Sequence, residues 1–207
     1  AEQVIAHRGQ VTRGLATGFV DIDRTLMGMK PGEMIVVAGR PSMGKTAFEL
    51  NVAENVAMGI RYEDFEQPPK PVVVFSLEMS RGQLAGRMLW GRAGLSVKRM
   101  RSGFTRKGAT GDLQTAAATL AEANCWVDDT PALPIAELRG RMMLARRRHN
   151  VELAVVDYLQ LLKASDSRMP REAQVAEISG AIKAMAKELE IPVIVLAQLN
   201  RGAEGDS

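Results

Sequence analysis

One cysteine, Cys125, and two histidines, His7 and His149, are all that the 207-residue chain offers of the side chains that most often bind transition metals. A single thiol closes no internal disulfide, and two imidazoles with one thiol make no zinc cluster of recognisable spacing. All three are read as structural. Aromatic residues are equally sparse: five Phe, two Trp and two Tyr are few rings for a platform that stacks the bases of a single strand. No apolar run approaches the ~18 residues of a membrane span. The opening "AEQVIAHRGQ" has neither the basic start nor the apolar centre of a secretory signal, so a cytoplasmic protein without membrane attachment is expected. Excess charge is missing as well. The 27 basic and 24 acidic residues leave +3, which permits a polyanionic partner without demanding one.

What is present is a composition of 46% hydrophobic and 25% charged residues, that of an ordinary globular domain, and a length that suits one sizeable core. Short runs rich in Val and Ile recur between segments of helical spacing. The expected strands are "MIVVA" (34–38), "VVVFS" (72–76), "CWV" (125–127), "LAVV" (153–156) and "VIVLA" (193–197). Their hydrophobicity is continuous, as in strands covered on both faces. The fold class that follows is α/β, with a mostly parallel central sheet and helices on both of its faces.

Helices are marked by periodicity and caps. Ala47, Leu50, Ala53, Val56 and Ala57 recur at helical spacing up to Gly59, a C-terminal stop. Ser80 and Gln83 have capping-box spacing and open a helix running toward Gly94. Val175, Ile178, Ile182, Met185 and Leu189 form one stripe, with Lys183 and Lys187 turned outward, before Pro192 forces the exit into the last strand. The proline-rich "EDFEQPPKP" (63–71) and "KASDSRMP" (163–170) read as exposed loops.

The chemistry begins at "GRPSMGKT" (39–46), which fits G-x-x-x-x-G-K-[ST] and follows a buried strand while opening a helix. Gly39 and Gly44 allow the backbone of Arg40, Pro41, Ser42 and Met43 to curl so that N–H groups face phosphate oxygens at the positive end of the helix dipole. Lys45 reaches the β- and γ-phosphates of ATP, and the Thr46 hydroxyl ligates Mg2+. Asp157, where the strand of "LAVVDYLQLL" ends, supplies the second metal-organising carboxylate. Glu78, just past the strand in "VVVFSLEMS", is placed to orient or deprotonate the attacking water, against the plainer reading of a charge at a helix start. Gln198 ends the strand of "VIVLAQLNR", where an amide senses the γ-phosphate or packs on a loop. Arg201 faces either nucleotide or DNA. The basic "RGRMMLARRRHN" (139–150) keeps an apolar stripe and reads as a solvated helix face, whereas Arg168 and Arg171 are better placed for a DNA phosphate.

Taken together, "TGFVDIDRTLMGMKPGEMIVVAGRPSMGKT", "VFSLEMS", "VVDYLQLL" and "AEISGAIKAMAKELEIPVIVLAQLNR" resemble the C-terminal motor domain of the DnaB-type bacterial replicative helicases. The match runs from about Gly14 to Arg201, and "SLEM" with "AQLNR" sets it apart from generic P-loop proteins. The resemblance implies a RecA-like P-loop NTPase core, a homo-hexameric ring in the full-length protein, and ATP hydrolysed between subunits. It also implies movement on single-stranded DNA, with primase and a helicase loader as partners. In that frame Lys45 and Thr46 are the Walker A pair, Glu78 the catalytic glutamate, Asp157 the Walker B carboxylate and Gln198 the γ-phosphate sensor. Residues 1–13 are expected to be the remnant of a linker helix, and 14–207 a motor domain incomplete at its C-terminus. The family continues past "LNR" into a DNA-contacting loop and a basic hairpin with an arginine finger, so a fragment of weak activity is expected. The alternatives are a truncated RecA-like module that binds ATP and caps a ring, a recombinase-type ATPase, or a P-loop small-molecule kinase, for which an arginine-rich lid is missing.

Overall fold

The computed structural model describes residues 14–62, 65–96 and 108–199. A short helix α1 (Val20–Leu26) leads into strand β1 (Met34–Gly39), which delivers the chain to helix α2 (Lys45–Met58). A hairpin of β2 (Ile60–Tyr62) and β3 (Phe65–Gln67) follows, then β4 (Val72–Ser76), α3 (Arg81–Arg92), α4 (Ala109–Ala121) and β5 (Cys125–Asp128). The chain closes through α5 (Ile135–His149), β6 (Leu153–Asp157), a 3-10 turn (Leu159–Leu161), α6 (Arg171–Leu189) and β7 (Val193–Gln198).

Five strands among the described residues form one sheet in the order β1-β7-β6-β4-β5, every pair parallel. Because side chains alternate across a strand, the apolar runs supply two cores. Val73, Phe75, Ala154, Val156, Val193 and Val195 face Leu138 and Met142 of α5 and Ile178, Ile182 and Met185 of α6. On the other side Val72, Val74, Leu153, Val155 and Ile194 meet Leu50, Ala53 and Val56 of α2 and Leu84 of α3. The expected RecA-like architecture, a parallel sheet between helical layers, is the one found. No described helix is long and apolar enough to cross a membrane.

Each of the five expected strands is present, and four of them extend one residue further, by which β6 and β7 take in Asp157 and Gln198. The capping box at Ser80 is complete: its hydroxyl accepts from the Gln83 N–H, and the Gln83 side chain accepts from the Ser80 N–H. Two readings need correction. Part of "EDFEQPPKP" is a strand, because Phe65–Gln67 pairs antiparallel with Ile60–Tyr62, and buried Gln67 accepts the Ala16 N–H at 2.8 Å. Lys183 does not simply face solvent; its ammonium donates to the Gly32 carbonyl at 3.0 Å and ties α6 to the turn before β1. The arginines of α5 are also more engaged than a solvated face requires. Arg139 pairs with Glu188 of α6, Arg141 with Asp128 and Glu137, and Arg146 caps Asn150 and Val151 carbonyls. His149 stacks on Trp126 with ring centroids 4.2 Å apart, and Cys125 sits in strand β5, both structural settings. Burial, then the nearby Glu54 carboxylate, pushes the Cys125 thiol up to about 11, which leaves it unreactive at neutral pH.

Candidate nucleotide site

Parallel strands all point their carboxyl ends the same way, so four strand ends converge on one edge of the sheet. Gly39 ends β1 and pairs in register with Gln198 at the end of β7, while Ser76 of β4 pairs with Asp157 of β6. This edge is where an open α/β sheet binds ligands.

Between β1 and α2 the chain must reverse tightly. Ser42 and Gly44 take left-handed conformations, with φ of 64° and 88°, before the first helical turn at Lys45. Open space surrounds a Cβ built on Gly44, so it is backbone conformation rather than crowding that asks for glycine there. The resulting loop presents the N-terminus of a 14-residue helix, a concentration of outward N–H groups suited to an anion. Lys45 folds over this loop, its ammonium donating to the Gly39 carbonyl at 2.6 Å and the Arg40 carbonyl at 2.9 Å. Gly39, Arg40, Met43, Gly44 and Lys45 line a hollow of about 420 Å³ together with Phe48.

At the next residue, Thr46 Oγ1 donates to Asp157 Oδ2 at 3.2 Å, joining residues 111 apart in sequence. Asp157 is buried, and its carbonyl accepts the Leu77 N–H at 2.7 Å, which fixes the turn that carries Glu78. Ser76 Oγ donates to the Met79 carbonyl at 2.8 Å and closes that turn from the other side, leaving Glu78 exposed at the sheet edge. A hydroxyl and a carboxylate in contact are hard oxygen donors of the kind magnesium takes. Among the described residues no three His, Cys, Asp or Glu side chains converge as an all-protein metal cage. Magnesium needs none, since it keeps waters and leans on one or two carboxylates plus phosphates.

Two residues that sequence reasoning passed over belong to this edge. Glu49 of α2 is fully buried, and no N–H or hydroxyl group donates to either of its carboxyl oxygens, which lie against Asp157. Burial first, then the adjacent Asp157 and the charge of Glu78, pushes its carboxyl up to about 10. The signal was available, because Glu49 lies three residues after Thr46 and four before Ala53, on the inward face of α2. The second is Gln160. Its amide donates to the Gln198 carbonyl at 3.0 Å and accepts the Gln198 N–H at 3.2 Å, clasping the end of β7 to the loop after β6. Leu199 N–H donates to the Gly39 carbonyl at 3.2 Å, so Gln198 is held between that loop and the turn that joins β1 to α2.

Arg168 and Arg171 lie beyond this clasp. Arg168 pairs with Asp166 two residues away, and Arg171 Nη2 donates to the Gln160 carbonyl at 2.5 Å. Arg201 and residues 1–13, expected to contact ligand and to form a linker remnant, lie outside the described residues.

A family model described as DnaB-like helicase C terminal domain matches residues 14–207. The replicative DNA helicase DnaB of Geobacillus stearothermophilus is 39% identical over 95% of this chain and 41% of its own length. The replicative DNA helicase DnaC of Bacillus subtilis is 37% identical over 98% of this chain and 43% of its own. The chain thus spans about two-fifths of the curated relatives it matches. Among solved structures, a DnaB-like replicative helicase, described with its interactions with primase, superposes with a TM-score of 0.86 at 28% identity, covering all of this chain and 48% of that one. A second solved structure, described as an ATPase domain, gives the same score and identity over 70% of its length.

Proposed function

Because this chain belongs to the DnaB-like helicase C-terminal domain family, we propose that it is the ATP-hydrolysing motor part of a replicative DNA helicase that moves on single-stranded DNA. The observation that carries this reading is the Thr46–Asp157 hydrogen bond, which welds the phosphate-binding turn to the end of β6. Gly39, Arg40, Pro41, Ser42, Met43 and Gly44 wrap the phosphates with backbone N–H groups, and Lys45 moves its ammonium from the loop carbonyls to the β- and γ-oxygens. Thr46 and Asp157 would hold a magnesium ion, which supplies positive charge against the developing negative charge of the transferring phosphoryl group.

Glu78 is the residue that orients water and takes its proton. It stands at the sheet edge on a turn closed by Ser76 and by the Asp157 carbonyl, an arrangement that restrains its main chain while leaving the carboxylate reachable. Gln198 senses the γ-phosphate through its amide, next to Gly39. Its backbone is clasped by Gln160, whose carbonyl in turn binds Arg171, so a contact of Arg168 or Arg171 with a DNA phosphate has a short route to the sensor. In the full-length protein the ring is a homo-hexamer, residues 1–13 belong to a linker, and a neighbouring subunit completes the site with an arginine. Primase and a loader are its partners.

A finger of that kind is worth about 10³- to 10⁵-fold in rate, so the 207-residue chain by itself binds Mg·ATP, hydrolyses it slowly with little stimulation by DNA, and does not open a fork. Measuring ATP turnover with and without single-stranded DNA tests this. Rapid DNA-stimulated hydrolysis by the isolated chain contradicts the shared-site reading; binding without turnover even in assembled rings favours a nucleotide-holding cap.

A further inference from the structure

Gln174, half-buried in the first turn of α6, engages its whole amide. Nε2 donates to the Ser167 carbonyl at 3.1 Å and to the Met169 carbonyl at 2.8 Å, while Oε1 accepts Arg171 Nη1 at 3.1 Å. A side-chain amide has two N–H hydrogens, and both go to the loop. Turned over, it would set its oxygen against two carbonyls and its N–H groups against a guanidinium, so a single orientation satisfies the network. A glutamine in need of hydration alone would find it in solvent. This one ties the 163–170 loop, which carries Arg168, to the arginine that reaches Gln160.

We propose that Gln174 is a positioning residue that couples single-stranded DNA at the 163–170 loop to the γ-phosphate contact of Gln198. The connections are continuous. Arg171, held at Nη1 by Gln174, donates through Nη2 to the Gln160 carbonyl at 2.5 Å, and the Gln160 amide clasps both the N–H and the carbonyl of Gln198. Leu199, the next residue, donates to the Gly39 carbonyl, the same atom that accepts the Lys45 ammonium at 2.6 Å. At each end a cation rests on a neutral carbonyl, and a phosphate is the stronger acceptor because both partners are then charged. A DNA phosphate draws Arg171 off Gln160, and a γ-phosphate draws Lys45 off Gly39. Gln174 binds the loop main chain to Arg171, so the loop and the Gln160 clasp respond together. Without it Arg171 meets DNA alone, and the two exchanges become independent.

This inference rests on the ATP and DNA readings above, and the test separates them. A fluorescein-labelled oligo-dT is titrated with the 207-residue chain and followed by anisotropy, with and without Mg2+ and a non-hydrolysable ATP analogue. Calorimetry gives the affinity for the analogue in the absence of DNA. In the parent the two DNA affinities are expected to differ about 5-fold or more, as coupled sites do. Gln174→Ala puts a good helix former at a partly exposed position, so the fold is expected to survive. Its affinity for the analogue should stay within twofold of the parent, while the ratio of DNA affinities falls to within twofold of unity. The same is expected of Gln174→Glu, which still accepts from Arg171 but cannot donate to the two loop carbonyls. Gln160→Ala cuts the next link, and combined with Gln174→Ala it should lower the ratio no further than either change alone. If the parent binds no analogue, the nucleotide reading fails and this proposal with it. If the parent binds the analogue but not DNA, or binds both with a ratio of unity, the proposal alone is overturned. A ratio in Gln174→Ala equal to the parent's also overturns it, and DNA binding weakened by the same factor in both titrations then identifies a brace of the loop. Unfolding of both Gln174 variants, read by circular dichroism, marks a purely structural glutamine and overturns the proposal as well.

Discussion

At the scale of single residues, the proposed site divides into groups assigned to binding and groups assigned to reaction. Glu78 is exposed and carried on a turn braced by Ser76 and the Asp157 carbonyl, so its removal disturbs little packing. Glu78→Gln is therefore expected to keep nucleotide affinity within a few-fold while lowering turnover about 10²- to 10⁴-fold, the usual worth of a general base; parallel calorimetry and phosphate release separate the two. Asp128 carries a pH prediction away from the site. Burial raises its pKa, but the hydrogen bonds from Arg141 and Thr130 outweigh it and hold the carboxyl below its ordinary 3.8. The folded state thus binds that proton less readily than the unfolded chain. The Arg141–Asp128 contribution is complete above 3.8 and is lost as pH falls through the lower native value. Asp128→Asn should cost about 1 kcal/mol at neutral pH, a small figure because the two side chains are 24% and 33% exposed and water screens them. The difference from the parent should vanish in acid, as urea unfolding at a series of pH values would show.

At the scale of elements, strands convert a scattered sequence signal into one edge. Gly39, Asp157 and Gln198 are separated by more than a hundred residues at the extremes, yet each ends a parallel strand, and Glu78 follows another by two residues. That much was legible, because a buried strand announces its end when an apolar run meets a polar residue. The Gln160 clasp was not, since a glutamine after a strand has no periodicity and its partner is 38 residues away. Nor was the hairpin: Phe65–Gln67 is three residues long and reads as loop until its pairing with Ile60–Tyr62 is known. Glu49 fell between the two. Its helical position was plain, but an acid on an inward face is masked when only apolar residues are followed along a stripe. Gln160→Ala should release the end of β7 without touching the turn between β1 and α2. The expected result is a lower kcat with KM for ATP nearly unchanged, and reduced coupling to DNA; a KM effect alone would show that Gln160 serves the loop and not the sensor. Ser80→Ala removes a complete capping box and should cost about 1 kcal/mol, measured by denaturant unfolding, with nucleotide affinity untouched.

At the scale of the whole molecule, two apolar layers clamp the sheet and leave its carboxyl edge for chemistry. The layers are independent enough to be tested separately from the site. Leu138 is fully buried between α5 and the sheet, and Leu138→Ala should cost about 2–5 kcal/mol without changing the ratio of nucleotide affinities with and without Mg2+. The relatives match over about two-fifths of their length. The proposed Mg·ATP site of this chain is the loop at 39–46, welded to Asp157 through Thr46. Calorimetric titration of a non-hydrolysable ATP analogue with Mg2+ into the parent and into Lys45→Ala tests it most directly. Saturable one-site binding by the parent, lost or weakened at least tenfold in the variant, is the result predicted from Lys45, which reaches over the loop. Equal affinity in both proteins, or no binding by the parent, would contradict it.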